Sequence, residues 1–245
     1  MLKRFLQPFF AAWVLVTFAV TVLAVFPLIV VIGLRNSAPA RKTIHAIISN
    51  WAHVWLWIIG MPVTVIGGKP SGRRHVIVAN HISYLDTIAL FPAVKTYFRP
   101  LGKKEMVHIP VIGFIYKQIV ILVDRSSLVS RTRSMRLMWR ILRTEADIII
   151  FPEGTFNETA EVMKEFYDGA FRLAITAQTP LLPVIFPDTV DRWHYSGWWK
   201  LWPGRNRAIC LPEVPVDGLT LEHLPALKEQ VRTLMGQALL QYRRS

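Results

Sequence analysis

The sequence predicts an α/β fold: a mixed, largely parallel sheet of about seven strands flanked by helices, with apolar membrane helices at the N-terminus. Three observations carry that reading. From Pro62 onward, short β-branched runs alternate with stretches of helical period, the pattern of a sheet covered on both faces. Before Pro62 the composition differs, and Phe5 to Leu34 is thirty residues without a charge. A chain of 245 residues suffices for one such domain and a short appendage. The boundary therefore falls after residue 61, with 1–61 as the anchor and 62–245 as the α/β domain.

Roughly 20 apolar residues cross a bilayer as a helix, so Phe5–Leu34 is long enough with some to spare. Lys3 and Arg4 before it and Ala38-Pro39-Ala40 after it are also features of a signal peptide. Its apolar part is about twice the usual ~7–15 residue core of such a peptide, which favours the anchor. Lys3 and Arg4 on one flank and Arg35, Arg41 and Lys42 on the other give no orientation for a single crossing. A break at Pro27 would let the segment re-enter and keep both flanks cytosolic. Ile44–Met61 carries Trp51, Trp55 and Trp57, with His45 and His53 among its apolar residues. It reads as a helix at the lipid–water interface, the alternative being a helix packed on the domain.

The strands expected next are Val63–Ile66, His75–Ala79, Tyr97–Leu101, Ile119–Val123, Asp147–Phe151, Leu181–Phe186 and Arg207–Leu211. Helices are expected at Tyr84–Ala93, Val107–Lys117, Leu128–Thr144, Phe166–Ala177 and Pro225–Arg243. On Leu128–Thr144, residues Arg133, Arg136, Arg140 and Arg143 share one arc, opposite Leu128, Met135, Met138, Trp139 and Leu142. That arc is either a solvated face or a ridge for anionic headgroups or an acidic carrier protein. The aromatic stretch Trp193–Trp202 would rest on the membrane surface, pack in the core or line an acyl tunnel.

Composition narrows the function classes. Hydrophobic residues make up 52% and mean hydropathy is +0.34, an excess concentrated before residue 62. A net charge of +13 and a pI near 10.3 call for an anionic partner. Nucleic acid is disfavoured, because no recognition-helix, zinc-finger or RNA-binding signature accompanies the charge. The single cysteine, Cys210, excludes an internal disulfide and a Cys-rich metal site. Gly67, Gly68 and Gly72 fit neither nucleotide-binding spacing.

The sharpest chemical signal is Asn80-His81-Ile82-Ser83-Tyr84-Leu85-Asp86, directly after an expected strand. On one continuous helix His81 and Asp86 would point about 140° apart. They meet if His81 lies in the turn and the helix begins after it, and Ser83-x-x-Asp86 resembles the capping box that would start it. Asp86 could also merely cap, with His81 a loop residue. The location favours chemistry, since α/β sheets bind ligands at the carboxyl ends of their strands. His81 and Asp86 are also the one His–carboxylate pair with a strand-end setting in the sequence. A histidine takes a proton from a hydroxyl near neutral pH, and a carboxylate orients its ring. Phe151-Pro152-Glu153-Gly154-Thr155 and Val123-Asp124-Arg125 follow other expected strands, and Lys103-Lys104-Glu105 precedes the latter. There is no G-x-S-x-G nucleophile.

In this order the blocks resemble the 1-acylglycerol-3-phosphate acyltransferase (lysophosphatidate acyltransferase) family. The matching pieces are N-H-x4-D at Asn80–Asp86, K-E-M-x-x-I-P-x-x-G from Lys104 to Gly113, Val123-Asp124-Arg125 and F-P-E-G-T at Phe151–Thr155. Gly169–Ala174 and Pro180–Val184 complete the set, which covers about Pro62 to Phe186. The apolar N-terminus looks like that family's anchoring helices. The resemblance implies that His81 is a general base and Asp86 its orienting partner. It implies that Lys104 and Arg125 hold an acceptor phosphate and that Glu153, Gly154 and Thr155 shape the acceptor site. The acceptor would be a lysophospholipid at the cytosolic face of an anionic membrane. The donor would be an acyl carrier protein or coenzyme A thioester, with no metal or bound cofactor. Phe156 stands where family members often carry arginine, which leaves another lyso-lipid acceptor open. A non-catalytic lipid- or carrier-binding membrane protein and a thioesterase are the remaining alternatives.

Overall fold

The computed structural model describes residues 2–68, 71–123 and 128–244. All seven expected strands form: β1 (Val63–Gly67), β2 (Val76–Ala79), β3 (Phe98–Lys103), β4 (Ile121–Val123), β5 (Asp147–Ile150), β6 (Leu181–Ile185) and β7 (Asn206–Cys210). They make one sheet in the order β1-β7-β6-β2-β5-β3-β4. Every neighbouring pair is parallel except β6 with β7, so β1 and β7 run against the other five.

The central strands β2, β5 and β6 are buried on both faces, which explains their unbroken apolar runs. Val76, Val78, Ile148 and Ile150 point into one core, shared with α5 (Leu128–Thr144), α6 (Gly169–Ala177) and α8 (Leu224–Arg244). Ile77, Ala79 and Ile149 point the other way, onto Ala89, Leu90 and Ala93 of α3 (Asp86–Ala93). Each fully buried isoleucine stabilises this arrangement by about 1.5–3 kcal/mol, enough to fix the register of a period-two strand.

Besides α3, which begins at Asp86 instead of Tyr84, two helices start later than the sequence pattern suggested. The expected Val107–Lys117 helix becomes a 3-10 turn at Lys104–His108 and then α4 (Ile112–Ile119). Pro110 and the positive φ of Val111 (63°) interrupt it, and a Cβ on Gly113 would lie 2.1 Å from the Val107 carbonyl oxygen. Ile119 consequently belongs to α4 instead of β4. The helix expected from Phe166 begins at Gly169, because the Tyr167 N–H donates to the Pro152 carbonyl and holds that segment against the loop after β5.

The N-terminal quarter is a helical hairpin. Helix α1 (Leu2–Gly33) continues through Pro27 without the break that a re-entrant turn there would need. Its stretch Phe5–Gly33 is about 43 Å long, beyond the ~30 Å of a hydrocarbon core, and is long and apolar enough to cross a membrane. Phe9, Trp13, Val16, Val20 and Val31 are exposed, while Ala11, Val14, Val22 and Ile29 are buried. After a turn, α2 (Ala38–Ile58) starts on Ser37, whose hydroxyl accepts the Ala40 N–H, and packs along α1.

Helix α2 is packed on the domain, the alternative the sequence left open. His45 is buried among Phe91, Tyr97 and Phe98, and Arg41 makes a two-pronged ion pair with Glu145. Trp51 and Trp55 stack on each other and donate to Thr21 and Thr17 of α1, so two of the three tryptophans face a helix instead of lipid. Trp57 alone of the three is exposed. On α5, Met138, Ile141 and Leu142 form the buried face and the four arginines are exposed. Trp139, expected inside, is 42% exposed with the Arg143 guanidinium 5.8 Å from its ring.

Candidate active site

Strands β2, β5 and β6 run parallel, so the loops after Ala79, Ile150 and Ile185 open on one edge of the sheet. Asn80 ties two of these ends together. Its side-chain oxygen accepts the Phe186 N–H at 2.7 Å and its amide donates to the Phe186 carbonyl at 3.3 Å. This extends the β2–β6 contact one residue beyond the ladder and sets where the chain turns away.

His81 is the next residue, and α3 begins only at Asp86. That late start resolves the 140° problem. Asp86 is fully buried, and its Oδ2 lies 3.1 Å from His81 Nδ1 while accepting the N–H groups of Ile82 (2.7 Å) and Ser83 (2.8 Å). The three donors on one oxygen curl residues 81–83 around the carboxylate. Only half of the expected capping box forms. Asp86 reaches the Ser83 N–H, but the Ser83 hydroxyl accepts from Leu85 and donates to the Trp193 carbonyl. With Nδ1 turned to a carboxylate it carries the proton, leaving Nε2 as the acceptor nitrogen. The side chain is 16% exposed.

Glu153 supports the same turn from β5. It is buried, and one carboxylate oxygen accepts the His81 N–H at 2.9 Å while the other accepts the Lys164 N–H at 3.2 Å. Burial pushes its pKa up, partly offset by those two N–H bonds and by the nearby His81. The Asn157 N–H donates back to the His81 carbonyl, so both backbone polar groups of His81 are fixed by the loop after β5. Gly154 turns that loop with φ 75°, a conformation other residues rarely hold. Thr155 is exposed on the rim, where its hydroxyl accepts from the Lys164 ammonium at 2.8 Å.

Aromatic rings wall the histidine. Phe151 stacks on the imidazole at 4.1 Å, and Phe156 meets it edge-on at 4.4 Å. Tyr84 touches Phe156 and Trp193 in turn. The stretch 193–202 therefore does two things: Trp193 borders the site, and Leu201 and Trp202 pack against the N-terminal half of α1. Trp198 and Trp199 are exposed.

Of the residues singled out in the sequence, the structure joins His81, Asp86 and Glu153 directly and sets Gly154 and Thr155 beside them. Lys104 lies at the carboxyl end of β3, exposed on the same edge but two strands across. Arg125 lies outside the described residues. Sequence reasoning gave no role to Asn80, Asn157 or Lys164. Asn157-x-Thr159 carries the signal of an Asx turn, which forms, whereas a lone Lys164 carries none. Among the described residues, no three His, Cys, Asp or Glu side chains converge as a metal site would need.

A protein-family model described as Acyltransferase matches residues 63–187, just over half of the chain, and takes in every one of these residues. The chain belongs to the acyltransferase family. Among similar proteins, the 1-acyl-sn-glycerol-3-phosphate acyltransferase alpha of Mus musculus is 30% identical over 183 residues, 73% of this chain and 64% of that one. The 1-acyl-sn-glycerol-3-phosphate acyltransferase of Limnanthes douglasii is 26% identical over 176 residues, 69% and 60% respectively. The chain thus spans less than two thirds of the length of these relatives. This acyltransferase shares its fold with the crystal structure of the 1-acyl-sn-glycerophosphate (LPA) acyltransferase PlsC from Thermotoga maritima. That match has a TM-score of 0.74 at 20% identity, covering 100% of this chain and 98% of that one.

Proposed function

We propose that this acyltransferase moves a fatty acyl group from a thioester of coenzyme A or acyl carrier protein to the sn-2 hydroxyl of 1-acylglycerol-3-phosphate, giving phosphatidate. The observation that carries the reading is His81 with Nδ1 on buried Asp86 and Nε2 facing an open strand edge. The acceptor hydroxyl gives its proton to Nε2 as its oxygen attacks the thioester carbonyl. Asp86 stabilises the imidazolium, which returns the proton to the departing thiolate. No acyl-enzyme is required. In the same proposal Lys104 and Arg125 hold the acceptor phosphate, Gly154 and Thr155 shape its site, and Glu153 fixes the His81 backbone.

The exposed apolar face of α1 and the exposed Trp198 and Trp199 support attachment to a membrane, with the site on the cytosolic side. An anchored chain stays in the membrane pellet through a carbonate wash, and its release would refute the anchor. The four exposed arginines of α5 suit anionic headgroups or an acidic carrier. Phe156 against His81 favours a second reading, an acceptor without a terminal phosphate.

The test is purified protein in detergent with labelled acyl-coenzyme A or acyl carrier protein and a panel of lyso-acceptors. The reading predicts phosphatidate from lysophosphatidate. Acylation of only a phosphate-free acceptor selects the second reading, release of free fatty acid alone indicates a thioesterase, and no donor consumption indicates a binding protein.

A further inference from the structure

Resting on the lysophosphatidate reading, we infer that Lys164 is a ligand of the acceptor phosphate, held in place by Glu153 and Thr155. Arg41, Arg207, Lys228 and Arg232 each meet a carboxylate: Glu145, Asp188, Asp168 and Glu229 respectively. The Lys164 ammonium does not. Its partners among the described residues are neutral, the Thr155 hydroxyl at 2.8 Å and, more weakly, the Phe156 carbonyl at 3.4 Å. An ammonium has three donors and one full charge, so one N–H and the charge itself remain for a ligand.

Position gives that charge its use. The Glu153 carboxylate is shared, one oxygen taking the His81 N–H and the other the Lys164 N–H. The histidine and the lysine are thus one carboxylate apart along a buried, hydrogen-bonded link. In the acceptor, the sn-2 oxygen is separated from phosphorus by only two carbons and an oxygen. In the inferred pose, a hydroxyl seated at His81 Nε2 keeps its phosphate close to the loop that Glu153 ties to His81, the loop that carries Lys164 and Thr155. Phe151 and Phe156 make the wall beside His81 apolar, and a phosphate beside such a wall depends on a cation from the rim. Lys164 also pins the Thr155 hydroxyl, so the two present a joint donor set at the site's edge.

The experiment is steady-state kinetics with lysophosphatidate for wild type, Lys164→Met and Lys164→Arg, with inorganic phosphate as a competitor. Both substitutions keep the backbone N–H that Glu153 binds. Loss of a charged hydrogen bond raises KM for lysophosphatidate in Lys164→Met by roughly 10- to 100-fold, with kcat within about threefold. Inhibition by inorganic phosphate weakens in parallel, and Lys164→Arg restores both to within about fivefold. An unchanged KM in Lys164→Met, or a fall in kcat at unchanged KM, overturns the inference while the function stands. A wild type that leaves lysophosphatidate untouched overturns the reading of function, and the inference with it.

Discussion

Strand β2 has a histidine–carboxylate pair at each end, and the two differ in what is left over. At the amino end His75 is fully buried, with Nε2 2.9 Å from Glu213 and Nδ1 without a hydrogen-bond partner. Ser71 also donates to Glu213 through its N–H and its hydroxyl, and the His75 N–H is taken by Asp147. At the carboxyl end His81 keeps one nitrogen on Asp86 and turns the other to an exposed edge. A carboxylate partner therefore does not distinguish a base from a brace. A second ring nitrogen that a substrate can reach does. The same division holds across the sheet: Arg41, Glu145, Tyr97 and Arg99 at the amino edge satisfy one another and fasten α2 to β3, while polar groups at the other edge leave His81 Nε2 unengaged.

The largest expected effect that sharpens this contrast is at Asp86. Asp86→Asn puts an amide where His81 needs an acceptor charge and disturbs the Ile82 and Ser83 bonds, so kcat falls at least ~100-fold in folded protein. A loss under tenfold would mean that the carboxylate only shapes the turn. Next is Glu153→Gln, which offers one oxygen to two partly buried N–H groups. Leaving one of them unpaired costs about 1–3 kcal/mol, seen as a lower Tm, and the loosened His81 loop lowers kcat roughly tenfold. Unchanged Tm and kcat would show that Glu153 is no tie between the two segments.

The smallest effect belongs to the bracing edge. Burial raises the Glu145 pKa, but hydrogen bonds from Arg41 and Tyr97 and the charge of Arg99 outweigh it and bring it below its ordinary 4.5. A carboxylate lowered by folding stabilises the protein above about pH 4.5 and loses that contribution as pH falls through the folded value. Glu145→Gln therefore has a lower Tm at neutral pH and a flatter decline of Tm from pH 5 to 3. Thermal melts across that range check it, and parallel curves for the two proteins would contradict it.

The contrast also marks what the sequence can disclose. The seven strands were legible as short β-branched and apolar runs, unbroken in β2, β5 and β6 because both of their faces are buried, and the His81 edge because three of its blocks each follow a strand. The second histidine pair was not legible, so the expectation of one strand-end pair fails. His75 and Glu213 are 138 residues apart, and Glu213 stands outside every block. The late starts of α4 and α6 depended on tertiary restraints, the Gly113–Val107 approach and the Tyr167–Pro152 bond, to which periodicity is blind. Trp51 and Trp55 misled for a related reason. A tryptophan-rich amphipathic helix has the same composition whether it meets lipid or another apolar helix.

The most direct test of the central claim compares the two ends of β2 in one assay: lysophosphatidate acylation by folded His81→Ala and His75→Ala, with Tm measured on the same samples. His81→Ala should lose ~10²–10⁴-fold in kcat with little change in Tm. His75→Ala should keep kcat within about twofold per folded molecule while its Tm drops, since Glu213 loses a partner and a cavity opens. Near-normal turnover in His81→Ala, or equal losses in both variants, would contradict the account.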